Sequence, residues 1–147
     1  MPVLRSAAPA DADAVTAVHL ASRAAAMPWL PVVHTPAETR WWVEHVVLTQ
    51  LRTWVAVSGD DVLGFVAVDD GRLEQLYLRP DRRRQGLGTL LFRQAQQAEP
   101  AGFTFAVFAR NAPARAFYER LGCRVVARSD GRGNEEREPD ITYAWRP

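Results

Sequence analysis

Hydrophobic and polar positions along these 147 residues switch between two periods, and each switch marks an element. Val3 to Arg5 predicts a short first strand, ended at Ala7-Ala8-Pro9. Asp11 stands where a helix N-cap belongs, since its carboxylate can accept N–H groups that lack intrahelical partners; the helix it opens runs to about Ala26. Pro28 and Pro31 bracket Trp29 and Leu30 in an irregular loop. Thr35-Pro36-Ala37-Glu38 is a capping box with proline at the first helical position, so a second helix starts there and carries Trp41, Trp42, His45 and Val46 toward Leu51.

From Thr53 the apolar spacing shortens. Trp54 to Val57, Val62 to Val68 and Leu73 to Leu78 read as three strands joined by the turns Gly59-Asp60-Asp61 and Asp69-Asp70-Gly71. Helical spacing returns at Leu87, Leu90, Leu91 and Ala95 and stops at Pro100-Ala101-Gly102. Phe103 to Ala109 is nearly all apolar, as expected of a strand covered on both faces. Asn111 to Leu121 is a short helix stopped by Gly122. Cys123 to Ala127 and Ile141 to Trp145 close the pattern as two strands around the charged stretch from Arg128 to Asp140. The predicted order, β-α-α-β-β-β-α-β-α-β-β, describes one α/β domain over residues 1–147 with a mostly antiparallel sheet.

Composition narrows the function classes. An apolar fraction of 48% against 24% charged is the balance of a soluble globular domain. A net charge of +1 provides no general attraction for nucleic acid or for a membrane surface. Cys123 is the only cysteine, which excludes an internal disulfide and fits a cytoplasmic setting; no signal pattern opens the chain and no apolar run is long enough to span a bilayer. No His/Cys cluster has metal-ligand spacing, so no metal is expected.

The chemistry concentrates at Arg83-Arg84-Gln85-Gly86-Leu87-Gly88, between the strand ending at Leu78 and the helix beginning near Leu87. Strand, glycine turn and helix together make an anion site. First-turn N–H groups point outward, the helix dipole adds positive character, and glycine lets a ligand approach the backbone. Gly86-x-Gly88 lacks the third glycine of a dinucleotide fingerprint, having Leu91 there, and without any lysine the chain has no Walker A loop.

The segment Arg83-x-x-Gly86-x-Gly88 resembles the Gln/Arg-x-x-Gly-x-Gly/Ala motif of the GCN5-related N-acetyltransferase (GNAT) superfamily. Leu76-Tyr77-Leu78-x-Pro80 precedes it, and Asn111 followed by Phe117-Tyr118-Glu119-Arg120-Leu121-Gly122 comes after it, at the family's spacing and in its order. The resemblance covers roughly residues 50–125 by motif and the remainder by element order. It implies the GNAT fold, a mixed sheet of about six to seven strands flanked by about four helices, with acetyl-coenzyme A as cosubstrate and an amine as acceptor. Cys123 stands where the family usually has phenylalanine, a change of core volume rather than of chemistry.

Carried onto this chain, the resemblance implies the following roles. Backbone N–H groups of Leu76, Tyr77 and Leu78 face the thioester, and a bulge in that strand opens a gap for the pantetheine arm. Arg83, Arg84, Gln85, Gly86, Leu87, Gly88 and Thr89 hold the pyrophosphate, Asn111 bonds the cofactor arm, and Tyr118 is the acid that protonates the leaving sulfur. Tyr118 lies about 100° of helix rotation from a core-facing Phe117, at the cleft edge. For the base, Glu74 alternates with Leu76 and Leu78 and so shares their face; His34 is its competitor and a water chain a third choice. Trp29, His34 and Glu74 are the candidate acceptor-side residues, while His19 and His45 read as packing or surface residues.

Bland readings stand beside these: a core tyrosine, an ordinary N-cap asparagine, a solvated strand carboxylate and a structural loop histidine. The acidic stretch from Asp130 to Asp140 reads as a solvated loop or as a wall selecting a cationic acceptor, and some bacterial family members resemble this chain in pairing such a loop with a Trp-Leu-Pro…His-Thr entry. Trp29, Trp41 and Trp42 suggest an apolar surface that serves either the entry or a homodimer contact. Two other functions stay open: a non-catalytic acyl-CoA-binding module, and a small nucleic-acid-binding domain, which the near-neutral charge disfavours.

Overall fold

A computed structural model describes residues 2–147. One seven-stranded sheet carries the fold, built from β1 (Val3–Ser6), β2 (Arg52–Ser58), β3 (Asp61–Asp69), β4 (Arg72–Leu78), β5 (Phe103–Phe108), β6 (Arg124–Ser129) and β7 (Asp140–Trp145), in the spatial order β1-β2-β3-β4-β5-β7-β6. Every pairing is antiparallel except β4 with β5. Helices α1 (Ala12–Ala26) and α2 (Pro36–Trp42) cover one face, and α3 (Leu87–Ala98) and α4 (Ala112–Arg120) cover the other. The predicted order of elements is the observed one. Short turns of 3-10 helix at Pro9–Asp11 and Pro80–Arg82, and a π turn at Val43–Val47 that prolongs α2, are the additions.

Two apolar layers hold the sheet. On the α1/α2 face, Val15 and Val18 pack with Val43, Val47, Val55 and Phe65. On the α3/α4 face, Leu91, Phe92 and Ala95 meet Val66, Leu73, Phe103, Phe105 and Tyr143. The α2 capping box forms as the sequence predicts: the Glu38 N–H donates to Thr35 Oγ1 at 3.1 Å, and the Thr35 N–H donates to Glu38 Oε1 at 2.8 Å.

Asp11 departs from its expected role. Instead of capping α1, its carboxylate turns back to take both Arg5 guanidinium nitrogens at 2.8 and 2.9 Å and the Ala8 N–H at 2.7 Å. A bidentate guanidinium outcompetes a lone amide. Strand β5 also differs from expectation, because Phe103, Phe105 and Val107 are buried while Ala106 is exposed and Thr104 and Phe108 are only partly covered. One face of β5 is therefore left uncovered, because the α1/α2 cluster takes residues from β2, β3 and β4 and none from β5.

Candidate active site

Strands β4 and β5 are joined by a single bridge, Arg72 with Thr104, next to the bond from the Thr104 N–H to the Gly71 carbonyl at 3.0 Å. Beyond that point they part. The gap is a cleft of about 880 Å³, lined along β4 from Leu73 to Leu78 and along β5 from Phe105 to Phe108. Register on the other side of β4 explains the divergence: Ala67 pairs with Gln75 but Val68 pairs with Leu73, so Glu74 has no partner and forms a bulge. An extra residue bends a strand and sharpens its twist.

The bulge also changes the phase of β4 ahead of Gln75. Leu73 packs in the same cluster as Leu76 and Leu78, at odd spacing from them, so simple alternation fails across residue 74. Glu74 nevertheless lines the cleft, with its carboxylate held by Arg72 Nε at 3.1 Å.

Main-chain donors follow from the ladder. The Arg79 N–H points to β3, donating to the Leu63 carbonyl at 2.8 Å. Successive N–H groups of a strand alternate in direction, so those of Leu78 and Leu76 point away from β3, into the gap where β5 has withdrawn. Gly64 makes this edge compact. A Cβ there would sit 2.9 Å from the Tyr77 carbonyl oxygen and 3.0 Å from Leu91 Cδ1, which presses α3 onto β4.

At one end of the cleft lies the glycine turn. Gly86 has φ +79°, a left-handed conformation natural to glycine, and caps α3; Arg84 is also left-handed at φ +62°. The first intrahelical bond, from the Leu90 N–H to the Gly86 carbonyl at 3.0 Å, leaves the N–H groups of the opening turn directed outward. Arg83, Arg84, Gly86, Gly88 and Thr89 line the cleft. The predicted Gln85 and Leu87 do not. Leu87 is buried in the α3 core, leaving only its backbone available to a ligand. A cradle of outward amides and two arginines, with no Cβ at two of its positions, fits the diphosphate of a coenzyme A thioester.

Tyr118 sits on the opposite wall. It is the buried residue of α4, at 8% exposure, while Phe117 is only partly buried, the reverse of the expected assignment. Its ring packs 4.4 Å from that of Phe105 and 6.1 Å from that of Phe92, yet both Tyr118 and Phe117 border the cleft. Burial pushes the Tyr118 phenol well above its ordinary value, so the hydroxyl keeps its proton at neutral pH. Asn111 caps α4, accepting the Ala114 N–H through Oδ1 at 3.3 Å, and it lines the cleft as well.

The other predicted acceptor-side residues lie outside the cleft lining. His34 is half-exposed, and its Nε2 is 2.8 Å from Glu135 Oε2; that carboxylate raises the imidazole above its usual value, which disfavours the neutral form a base needs. Trp29 stands edge-on to Phe108, at 6.3 Å between centroids, with the Arg110 guanidinium 4.4 Å over its ring. Trp41 is exposed and stacked on His45, while Trp42 packs against buried His19.

Sequence reasoning missed the end of α1, where Ser22, Ala25 and Ala26 complete the cleft with Met27. Their small side chains gave no chemical signal. The acidic stretch is largely exposed, as a solvated loop would be, yet it is folded on itself. Gly131 packs against the Glu138 backbone, and Asn134 ties residues 134–140 together through Glu138 and Asp140. Its carboxylates are already paired: Glu135 with His34, Glu136 with Arg23 and Glu138 with Arg110. Among the described residues, no group of three or more His, Cys, Asp or Glu side chains is arranged to hold a metal, and no helix is long and apolar enough to cross a membrane.

Comparison with known proteins agrees with this geometry. Residues 49–124 match the acetyltransferase (GNAT) domain family. The peptidyl-lysine N-acetyltransferase YjaB of Salmonella typhimurium is 34% identical over 84 residues, 56% of this chain and 57% of that protein. The peptidyl-lysine N-acetyltransferase YiaC of Escherichia coli is 32% identical over 85 residues, 57% of this chain and 58% of that protein. The matches span less than two thirds of the length of these curated relatives. The solution structure of apo YjaB from Escherichia coli superposes with a TM-score of 0.78 at 26% identity, covering 99% of this chain and 97% of that one. This chain belongs to the GNAT acetyltransferase family, and the fold its motifs imply is the one observed.

Proposed function

We propose that residues 1–147 form one catalytic domain that moves an acetyl group from acetyl-coenzyme A to a primary amine, by direct attack with both substrates bound. The acceptor class is the lysine side chain of a protein or peptide, a choice supported by the names of the relatives in Salmonella typhimurium and Escherichia coli. One observation carries the reading. The parting of β4 from β5 brings main-chain donors, an anion cradle and a protonated phenol into a single cleft. A cytoplasmic setting belongs to the same proposal.

Acetyl-coenzyme A, when bound, supplies an acetyl group already activated as a thioester. The chain's own residues provide the rest. Amides of the α3 opening turn, with Arg83 and Arg84, hold the diphosphate, and Asn111 meets the arm between the walls. The N–H groups of Leu76 and Leu78 are aimed where negative charge gathers on the carbonyl oxygen, and such preorganised donors are worth about 3–4 kcal/mol each. Tyr118 gives its proton to the departing sulfur. A lysine ammonium, with a pKa of about 10, must lose a proton before attack. Glu74, on the bulge, takes that proton directly or through water.

The test is to mix the purified chain with acetyl-coenzyme A and lysine-containing peptides and follow free thiol. Thiol release that requires both peptide and protein is the expected result. Cofactor binding without turnover on any amine would instead make the chain an acyl-coenzyme A-binding module.

A further inference from the structure

The corner where α1 meets β4 holds one cation with two tasks. Arg23 Nη1 donates to the Tyr77 hydroxyl at 3.3 Å, and Arg23 Nη2 donates to Glu136 Oε2 at 3.1 Å. Tyr77 belongs to the cleft wall between the two residues whose N–H groups face the gap, and Glu136 belongs to the segment folded between β6 and β7. Ser22, beside Arg23, lines the cleft. Both charged partners are substantially covered, Arg23 with 25% of its side chain exposed and Glu136 with 15%.

His19, one turn earlier on α1, lies with its ring 4.8 Å from that of Tyr77, and burial followed by the nearby Arg23 charge lowers its pKa to about 4, so it is neutral at physiological pH. The positive charge rests on Arg23. The remaining carboxylates of the segment are bound elsewhere, Glu135 by His34, Glu138 by Arg110 and Asp130 by Arg132.

We infer that Arg23 is a positioning residue that fastens the 130–139 segment to Tyr77 and so holds in place, for the acceptor, the stretch of cleft wall that Tyr77 and Ser22 form. The inference rests on the acetyltransferase reading for what the cleft receives. Only a planar fork reaches two such partners at once, and a lysine ammonium does so poorly. Arg23 touches neither the diphosphate cradle nor Tyr118, so its removal separates acceptor recognition from cofactor binding.

The experiment compares wild type, Arg23→Met, Arg23→Lys and Glu136→Gln. Acetyl-coenzyme A affinity, acceptor KM and kcat, and hydrogen exchange across residues 130–139 are measured for each. Arg23→Met is expected to raise acceptor KM by roughly 10- to 100-fold. Exchange in the segment should accelerate, cofactor affinity should stay unchanged, and Arg23→Lys should recover only part of the loss. Glu136→Gln cuts the same link from the other side and carries the test alone should Arg23→Met fail to fold; its KM must rise too. A wild type that turns over, with variants that keep both acceptor KM and segment protection, overturns the role of Arg23. A wild type without turnover overturns the acetyltransferase reading instead.

Discussion

Phe117 on α4 stands so close to Gly88 on α3 that a Cβ on Gly88 would lie 3.1 Å from Phe117 Cζ and 3.3 Å from Cε1. The second motif glycine therefore has two duties, leaving the backbone open to a ligand and letting α4 close on the cradle. Gly88→Ala is expected to weaken acetyl-coenzyme A binding on the order of tenfold, since overpacking of this kind costs about 1–3 kcal/mol. Pairing it with Phe117→Leu should restore part of the loss. Calorimetric titration of the single and double variants reads both effects.

Tyr118→Phe removes the phenol hydroxyl while keeping the ring that packs against Phe92 and Phe105. A catalytic proton donor contributes about 10²- to 10⁴-fold. We expect kcat to fall within that range, with cofactor affinity and thermal stability near wild type. An unchanged kcat would remove Tyr118 from the chemistry.

Gly64 gives a prediction about stability alone. Its missing Cβ lets the Tyr77 carbonyl and Leu91 close over β3, and the obstructing atom at 2.9 Å is backbone, which cannot swing aside. Gly64→Ala should destabilise the fold by about 1–3 kcal/mol, visible as a lower midpoint of chemical denaturation.

Buried His19 makes stability depend on pH. Its Nδ1 is buried without a hydrogen-bond partner among the described residues, and its pKa falls from 6.5 to about 4. Between those values the unfolded chain binds a proton that the folded chain refuses, so stability is fully present above 6.5 and declines as pH drops toward 4. A shift of this size corresponds to about 3 kcal/mol at the low end of the window. His19→Phe should flatten the denaturation midpoint across that range. Asp11, lowered by its hydrogen bonds to Arg5, acts only in more acidic solution, where protonating it removes its share of stability.

The absence of lysine bears on the proposed acceptor class. All 18 basic residues are arginine. A lysine acetyltransferase of this composition has no side-chain amine of its own to modify, so prolonged incubation with acetyl-coenzyme A should leave peptides from residues 2–147 free of side-chain N-acetylation by mass spectrometry, while a lysine peptide in the same tube is modified.

Local chemistry determines much of this protein. The capping box at Thr35 and Glu38, the glycine turn at Gly86 and Gly88, and the changes of apolar period are all set by neighbours within a few residues, and each became the element it predicts. Side-chain alternation was a poorer guide wherever a register shift intervened. The Glu74 bulge put Leu73 on the face of Leu76 and Leu78, and Tyr118 is more deeply buried than Phe117 although both border the cleft. Tertiary structure alone decided that His34 is held by Glu135 away from the cleft lining and that Arg23 meets Glu136 across 113 positions of chain. Periodicity records which face of an element is buried. It does not record which distant charge will stand opposite, because that choice is made by the packing of whole layers.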